Sequence, residues 1–92
     1  MSLIKIKPEP VIVPKSVSMR QARLALYNKG LLHLVDETIS LMPIKEQREK
    51  AEIEWEFSSN VERDSFLVYG LAGGLGLTDE MLDALFIEAS KL

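Results

Sequence analysis

The sequence predicts an all-α domain, a small bundle of about five short helices over residues 16–92, preceded by an extended arm over residues 1–15. Pro8, Pro10 and Pro14 exclude a helix from the arm, because each lacks an amide donor and restricts the residue before it. Beyond the arm, apolar residues recur three and four positions apart, and glycine, proline or small polar residues interrupt the pattern at intervals. A chain of 92 residues provides for a single core.

The first helix is predicted from its two ends. Ser18 and Gln21 match a capping box, in which the hydroxyl accepts from the amide three residues later and the glutamine side chain reaches back. Gly30 suits the left-handed conformation that commonly follows a helix. The helix should therefore end near Asn28.

The second and third helices are separated by Pro43. Residues 31–42, LLHLVDETISLM, place apolar side chains along one helical face and predict the second helix. Pro43 should end it and open the third helix at its first position, where the missing amide costs nothing. The third helix, residues 44–57, is charged and should be exposed on one side.

The fourth and fifth helices are placed by their capping residues. Ser59 or Asn60 can cap a fourth helix that starts at Val61, and Thr78 can cap a fifth over residues 79–92. The side chains of the fifth helix predicted to point inward are Met81, Leu82, Leu85, Phe86 and Ala89.

The stretch GLAGGLGLT, residues 70–78, resembles a phosphate-binding loop only superficially. A Walker loop needs a lysine after its glycines, and a dinucleotide fingerprint needs a preceding strand, and neither is present. Gly70, Gly73 and Gly74 instead lie three and four apart, so they predict a smooth helical face that another helix can approach closely. Gly76 should end the helix.

Charge is distributed unevenly along the chain. Residues 1–30 carry six basic groups and one acidic group, giving +5, whereas residues 31–92 carry five basic and thirteen acidic groups, giving −8. These sum to the net charge of −3. A basic arm on an acidic body can orient a partner, and it can equally complement its own body.

No combination of residues predicts catalysis, a cofactor or a metal. The chain has no cysteine, and its only histidine, His33, lies on a leucine-rich helix, where a structural role is the plainer interpretation. Glu49, Glu52 and Glu56 share a helical face and could bind a hard cation, but such a face is typically solvated. Arg48 and Arg63 could pair with these acids.

Trp55 is predicted to pack in the core, and a role as an anchor for a partner is the alternative. A helix-turn-helix would place Arg20, Arg23 and Lys29 near phosphates. The helix that follows them is leucine-rich and acidic, with nothing to read base edges, and this disfavours nucleic-acid binding.

Several stretches together resemble a group of small proteins encoded in the tail regions of phages and prophages. The stretches are VPKSVSMRQARLALYNKGLL, AEIEWE, ERD and GLGLTDEMLDALFIEA, and the similarity covers about residues 10–90. Its most distinctive parts are QAR at residues 21–23, IEWE at 53–56 and GLTD at 76–79. The resemblance implies a phage particle or tail assembly as the context, and it assigns no catalytic residue.

We therefore expect a non-catalytic phage or prophage protein that acts through protein–protein contacts in tail or virion assembly, with self-association open. The longest uncharged run, fourteen residues, is too short for a membrane helix, so the expected location is the host cytoplasm or the virion. The alternative is a regulator or inhibitor that binds a host protein through the acidic helical face. The predicted contact residues are Ile4, Ile6, Val11, Ile12, Val13, Arg20 and Arg23.

Overall fold

A computed structural model describes residues 12–92, so most of the predicted arm lies outside the described residues. Within that part of the chain, five α-helices and two short strands follow one another. The helices are α1 (Met19–Asn28), α2 (Val35–Ser40), α3 (Lys45–Phe57), α4 (Phe66–Leu75) and α5 (Asp79–Ala89), and the strands are β1 (Ser16–Ser18) and β2 (Asn60–Glu62).

Helix α1 has the ends that its sequence predicts. The Ser18 hydroxyl accepts from the Gln21 amide at 3.0 Å, and the Gln21 side chain accepts from the Ser18 amide at 2.9 Å, which completes the capping box. At the other end, Gly30 has a φ of 73°. The amide of Leu31 reaches back to the Leu26 carbonyl at 2.9 Å, the bond that closes a Schellman motif.

The all-α prediction is correct for the predominantly helical body and wrong in omitting a two-stranded antiparallel sheet. In this sheet Val17 of β1 lies opposite Val61 of β2, and both valines are buried. Each strand has three residues and a single inward side chain. Such a strand is too short to show an alternating pattern, so only its pairing partner 44 positions away identifies it.

The second predicted helix, residues 31–42, is shorter than expected. Leu32–Leu34 form a 3₁₀ turn, and α2 occupies only Val35–Ser40. Because the Leu31 amide already donates to the Leu26 carbonyl at the end of α1, the residues that follow form this tighter 3₁₀ turn before α2 begins. Pro43 also does not open the third helix, since α3 starts at Lys45 after an extended Ile44.

The fourth helix starts at Phe66 rather than at Val61, and neither Ser59 nor Asn60 caps it. Asn60 and Val61 belong to β2. The cap is Ser65, whose hydroxyl accepts from the Val68 amide at 3.3 Å. Pairing with β1 therefore overrides the local helical pattern at Val61.

The core lies between the sheet and the helices, and Trp55 belongs to it with an exposure of 7%. Four of the five inward residues predicted for α5 are buried, but Met81 is 51% exposed. Thr78 caps α5 as predicted, with its hydroxyl 3.2 Å from the Met81 amide. The buried core residues are Val17, Met19, Ala25, Val35, Ile39, Ala51, Trp55, Val61, Leu67, Val68, Leu71, Ala72, Leu82, Leu85, Phe86 and Ala89.

Candidate interaction surfaces

The arm joins the body beside the sheet. The Lys15 carbonyl accepts from the Arg63 amide at 2.8 Å, which extends the pairing of β1 with β2 by one residue. Val13 is half-buried and packs against the core, whereas Ile12 is 82% exposed. The body therefore fixes the chain as far as Val13 and leaves an apolar side chain in solvent immediately before it.

The predicted contact residues do not form one surface in the part of the chain that the structure describes. Ile4, Ile6 and Val11 lie outside the described residues. Arg20 is exposed on the first turn of α1, where it is free to meet a partner. Arg23 lies almost one turn further along and points to the body instead.

Arg23 holds α1 against α3 through Trp55. The guanidinium carbon lies 4.1 Å from the centroid of the Trp55 ring, a cation–π geometry. One guanidinium nitrogen also donates to the Trp55 backbone carbonyl. Arg23 is thus engaged by contacts within the chain, and it also lines the pocket beside Trp55.

That pocket has a volume of about 530 Å³ and an acidic rim. Of the three glutamates predicted to share a face, Glu52 and Glu56 line it, and Glu49 does not. Asp36 of α2 supplies a third carboxylate, so three negative groups surround the one positive group of Arg23. The complete lining is Arg23, Asp36, Ile39, Glu52, Trp55 and Glu56.

Arg63 joins the end of the sheet to α5, and the sequence did not indicate this role. Its side chain, 11% exposed, donates from Nε and Nη2 to Asp83 Oδ1 at 3.0 and 2.9 Å, and Nη2 also reaches the Asp79 carbonyl at 3.3 Å. Burial lowers the pKa of Arg63, but the hydrogen bond and charge of Asp83 outweigh it and raise that pKa above its ordinary value. The predicted pairing of Arg63 with the α3 glutamates is wrong.

A second surface, the α2–α4 groove, is largely apolar and has a volume of about 650 Å³. Leu41, Phe66 and Tyr69 line it with exposed fractions of 73%, 44% and 49%, so three large apolar side chains meet solvent at one place. The other residues of the groove are Thr38, Met42, Pro43, Gln47, Gly70, Gly73 and Gly74.

The glycines of α4 form the floor of this groove, and the close approach predicted from them holds for two of the three. A Cβ atom at Gly74 would overlap with Cγ2 of Thr38 in α2, and one at Gly70 would overlap with the terminal methyl of Met42. A Cβ atom at Gly73 would meet nothing within 4 Å. Gly70 and Gly74 are four apart and share the face towards α2, whereas Gly73 lies on the open side of the groove.

The remaining candidates for chemistry are placed separately. His33 lies exposed in the 3₁₀ turn. Among residues 12–92, no group of three or more histidine, aspartate or glutamate side chains is arranged to hold a metal ion. No helix in the same range has the length and apolar character needed to cross a membrane.

Comparison with models of protein families, with curated proteins and with solved structures returns no match to this chain. The candidate site therefore rests on its geometry. The two features that sequence reasoning missed, the Arg63–Asp83 pair and the α2–α4 groove, each join residues from distant segments. In the sequence, the signal that could have indicated the groove is the pair of aromatic residues Phe66 and Tyr69, which lie three positions apart just before the glycines.

Proposed function

We propose that this protein is a non-catalytic phage or prophage component that works by protein–protein contact in tail or virion assembly, in the host cytoplasm or on the virion. The arm engages the partner, and the helical body supplies a rigid acidic platform. The observation that carries the proposal is Ile12, an apolar side chain 82% exposed at the base of an arm rich in further apolar residues. Exposed apolar segments of this kind are typical of interaction sites.

The contacts at the base of the arm support these separate roles of the arm and the body. Val13 and Lys15 are held by the core and by Arg63, so the arm leaves the body from a fixed point. A fixed origin reduces the ordering entropy that a partner must overcome when it takes up the preceding residues. Arg20 is exposed nearby in sequence and adds a positive charge to the same contact.

The proposal is tested by a pull-down with the tagged chain from cells in which the parent phage replicates, followed by mass spectrometry. The full chain should recover tail or baseplate proteins, and a chain that lacks residues 1–11 and carries Ile12→Asp should not. Residues 12–92 keep Val13 in place, and unchanged circular dichroism would show that the truncated body is folded. Ile53→Asp is the control, because Ile53 is an exposed apolar residue of the body, at 60%. Tail proteins bound equally to the truncated chain would refute the arm as the contact.

The alternative, a regulator that binds a host protein through its acidic helical face, is favoured by the pocket that brings Glu52 and Glu56 together with Asp36. Replacing both glutamates by glutamine should then abolish capture of a host nucleic-acid enzyme. A matched double change at Glu37 and Glu80, which are exposed outside this pocket, should leave capture intact. Contact through the arm predicts that neither double variant affects recovery of tail proteins.

A further inference from the structure

The α2–α4 groove presents apolar surface for which the described part of the chain provides no cover over Leu41, Phe66 and Tyr69. Its volume of about 650 Å³ lies within the range of pockets that bury a ligand. The two aromatic rings and Pro43 line the groove in the manner of sites that receive extended, proline-containing segments.

The arm contains a segment with matching chemistry. Residues 4–7 read Ile-Lys-Ile-Lys. In an extended chain, successive side chains point to opposite sides, so Ile4 and Ile6 would share one side and Lys5 and Lys7 the other. Pro8 follows directly and restricts Lys7 to extended conformations.

The origin of the arm lies close to the groove. The bond between the Lys15 carbonyl and the Arg63 amide places the arm beside Arg63, and Phe66, which lines the groove, follows three residues later. Ile6 lies seven positions before Val13, the first described residue that packs against the core, and an extended chain of that length spans about 23 Å. Helix α4 has ten residues, which corresponds to about 15 Å. The arm can therefore reach every part of the groove.

We propose that the α2–α4 groove is the docking site of the chain's own arm. Ile4 and Ile6 pack against Leu41, Phe66 and Tyr69, and the two lysines of the segment remain in solvent. Tethering favours this occupant over an arm from a second copy, because the local concentration of a short linked segment is high. The net charge of −8 on residues 31–92 favours a segment that carries two lysines.

This inference goes beyond the proposed function, because it concerns the isolated chain and holds whether or not a phage partner exists. The two are connected by competition, since Ile4 and Ile6 cannot contact the groove and a partner at once. Docking covers the exposed apolar side chains of the groove until the partner takes the arm.

Paramagnetic relaxation enhancement tests the docking directly. The chain contains no cysteine, so a single cysteine carries a nitroxide label at a chosen site. Gly73→Cys places the label in the groove without a clash, because a Cβ atom there meets nothing within 4 Å. The amide signals of Ile4 and Ile6 in the ¹⁵N-labelled chain should lose most of their intensity. Lys91→Cys is the control position, since it follows α5, which packs chiefly against α1.

Two arm variants and one mixing experiment complete the test. Ile4→Asp with Ile6→Asp should abolish the loss of intensity, and Lys5→Ala with Lys7→Ala should retain it. Arm signals unaffected by the groove label, or affected equally by both labels, would overturn the proposal. The mixing experiment combines nitroxide-labelled chains at natural isotope abundance with ¹⁵N chains that carry no nitroxide. If the signals of Ile4 and Ile6 lose as much intensity in this mixture as within one chain, the groove is occupied by the arm of a second copy, which also overturns the proposal.

Discussion

Replacing Gly73 and Gly74 of α4 by alanine, one at a time, should change stability in opposite directions although the two positions are adjacent. Alanine at Gly73 meets open space, so the variant gains only the helical preference of alanine, about 0.5–1 kcal/mol. Alanine at Gly74 gains the same preference, but its methyl group overlaps with Cγ2 of Thr38. Overpacking of this kind costs about 1–3 kcal/mol.

The overlap at Gly74 is hard to relieve because Thr38 is fixed. Its hydroxyl donates to the Leu34 carbonyl at 2.7 Å, which holds the side chain in one rotamer. The gain from the helical preference of alanine is the same in both variants, so the difference between their free energies of unfolding reports the cost of the overlap alone. Gly74→Ala should therefore be about 1–3 kcal/mol less stable than Gly73→Ala. Thr38→Ser removes the clashing methyl group and keeps the hydroxyl, so it should restore most of this difference in a double-mutant cycle.

Urea unfolding followed by the fluorescence of Trp55, the single tryptophan, measures these differences. Trp55 is 7% exposed, so unfolding changes its surroundings. The midpoints should shift without a change in slope. Equal stabilisation by Gly73→Ala and Gly74→Ala would refute the close packing of α2 on α4, and so would a failure of Thr38→Ser to relieve the effect of Gly74→Ala.

Three further predictions concern individual contacts. Ser18→Ala should destabilise the fold by about 1 kcal/mol through loss of the capping box, measured by urea unfolding. Arg63→Met should cost about 1–3 kcal/mol, because it leaves Asp83 without its main hydrogen-bond donor. The folded pKa of Arg63 is raised above its unfolded value, so its contribution to stability is fully present below the unfolded pKa, and the cost should be equal at neutral and mildly alkaline pH. Arg23→Met should remove the cation–π contact with Trp55, cost about 0.5–2 kcal/mol and change the tryptophan emission spectrum.

The sequence predicts the parts of the fold that local chemistry determines. The capping box at Ser18, the left-handed residues Gly30 and Gly76 and the cap at Thr78 are all confirmed. Each depends on residues within about one helical turn, so a single short stretch contains the whole signal. The burial of Trp55 is also confirmed, because one large aromatic residue organises a small core.

The features that the sequence does not predict depend on contacts between distant residues. Val61 has a place in a helical pattern, and only its pairing with Val17 makes it a strand residue. The partner of Arg63 is Asp83, twenty positions away, and several nearer glutamates offered equally plausible pairs. The second helix is predicted to continue to residue 42, yet α2 ends at Ser40 and leaves Leu41 73% exposed.

The central claim, that the arm is the contact with a tail or virion component, is tested most directly by competition with a peptide of residues 1–14. The peptide is added in excess to the tagged full chain while that chain holds its partner. The account predicts that the peptide displaces tail or baseplate proteins, and that a scrambled peptide of the same composition does not. Tail proteins that stay bound in the presence of the peptide would contradict the account and place the contact on the helical body.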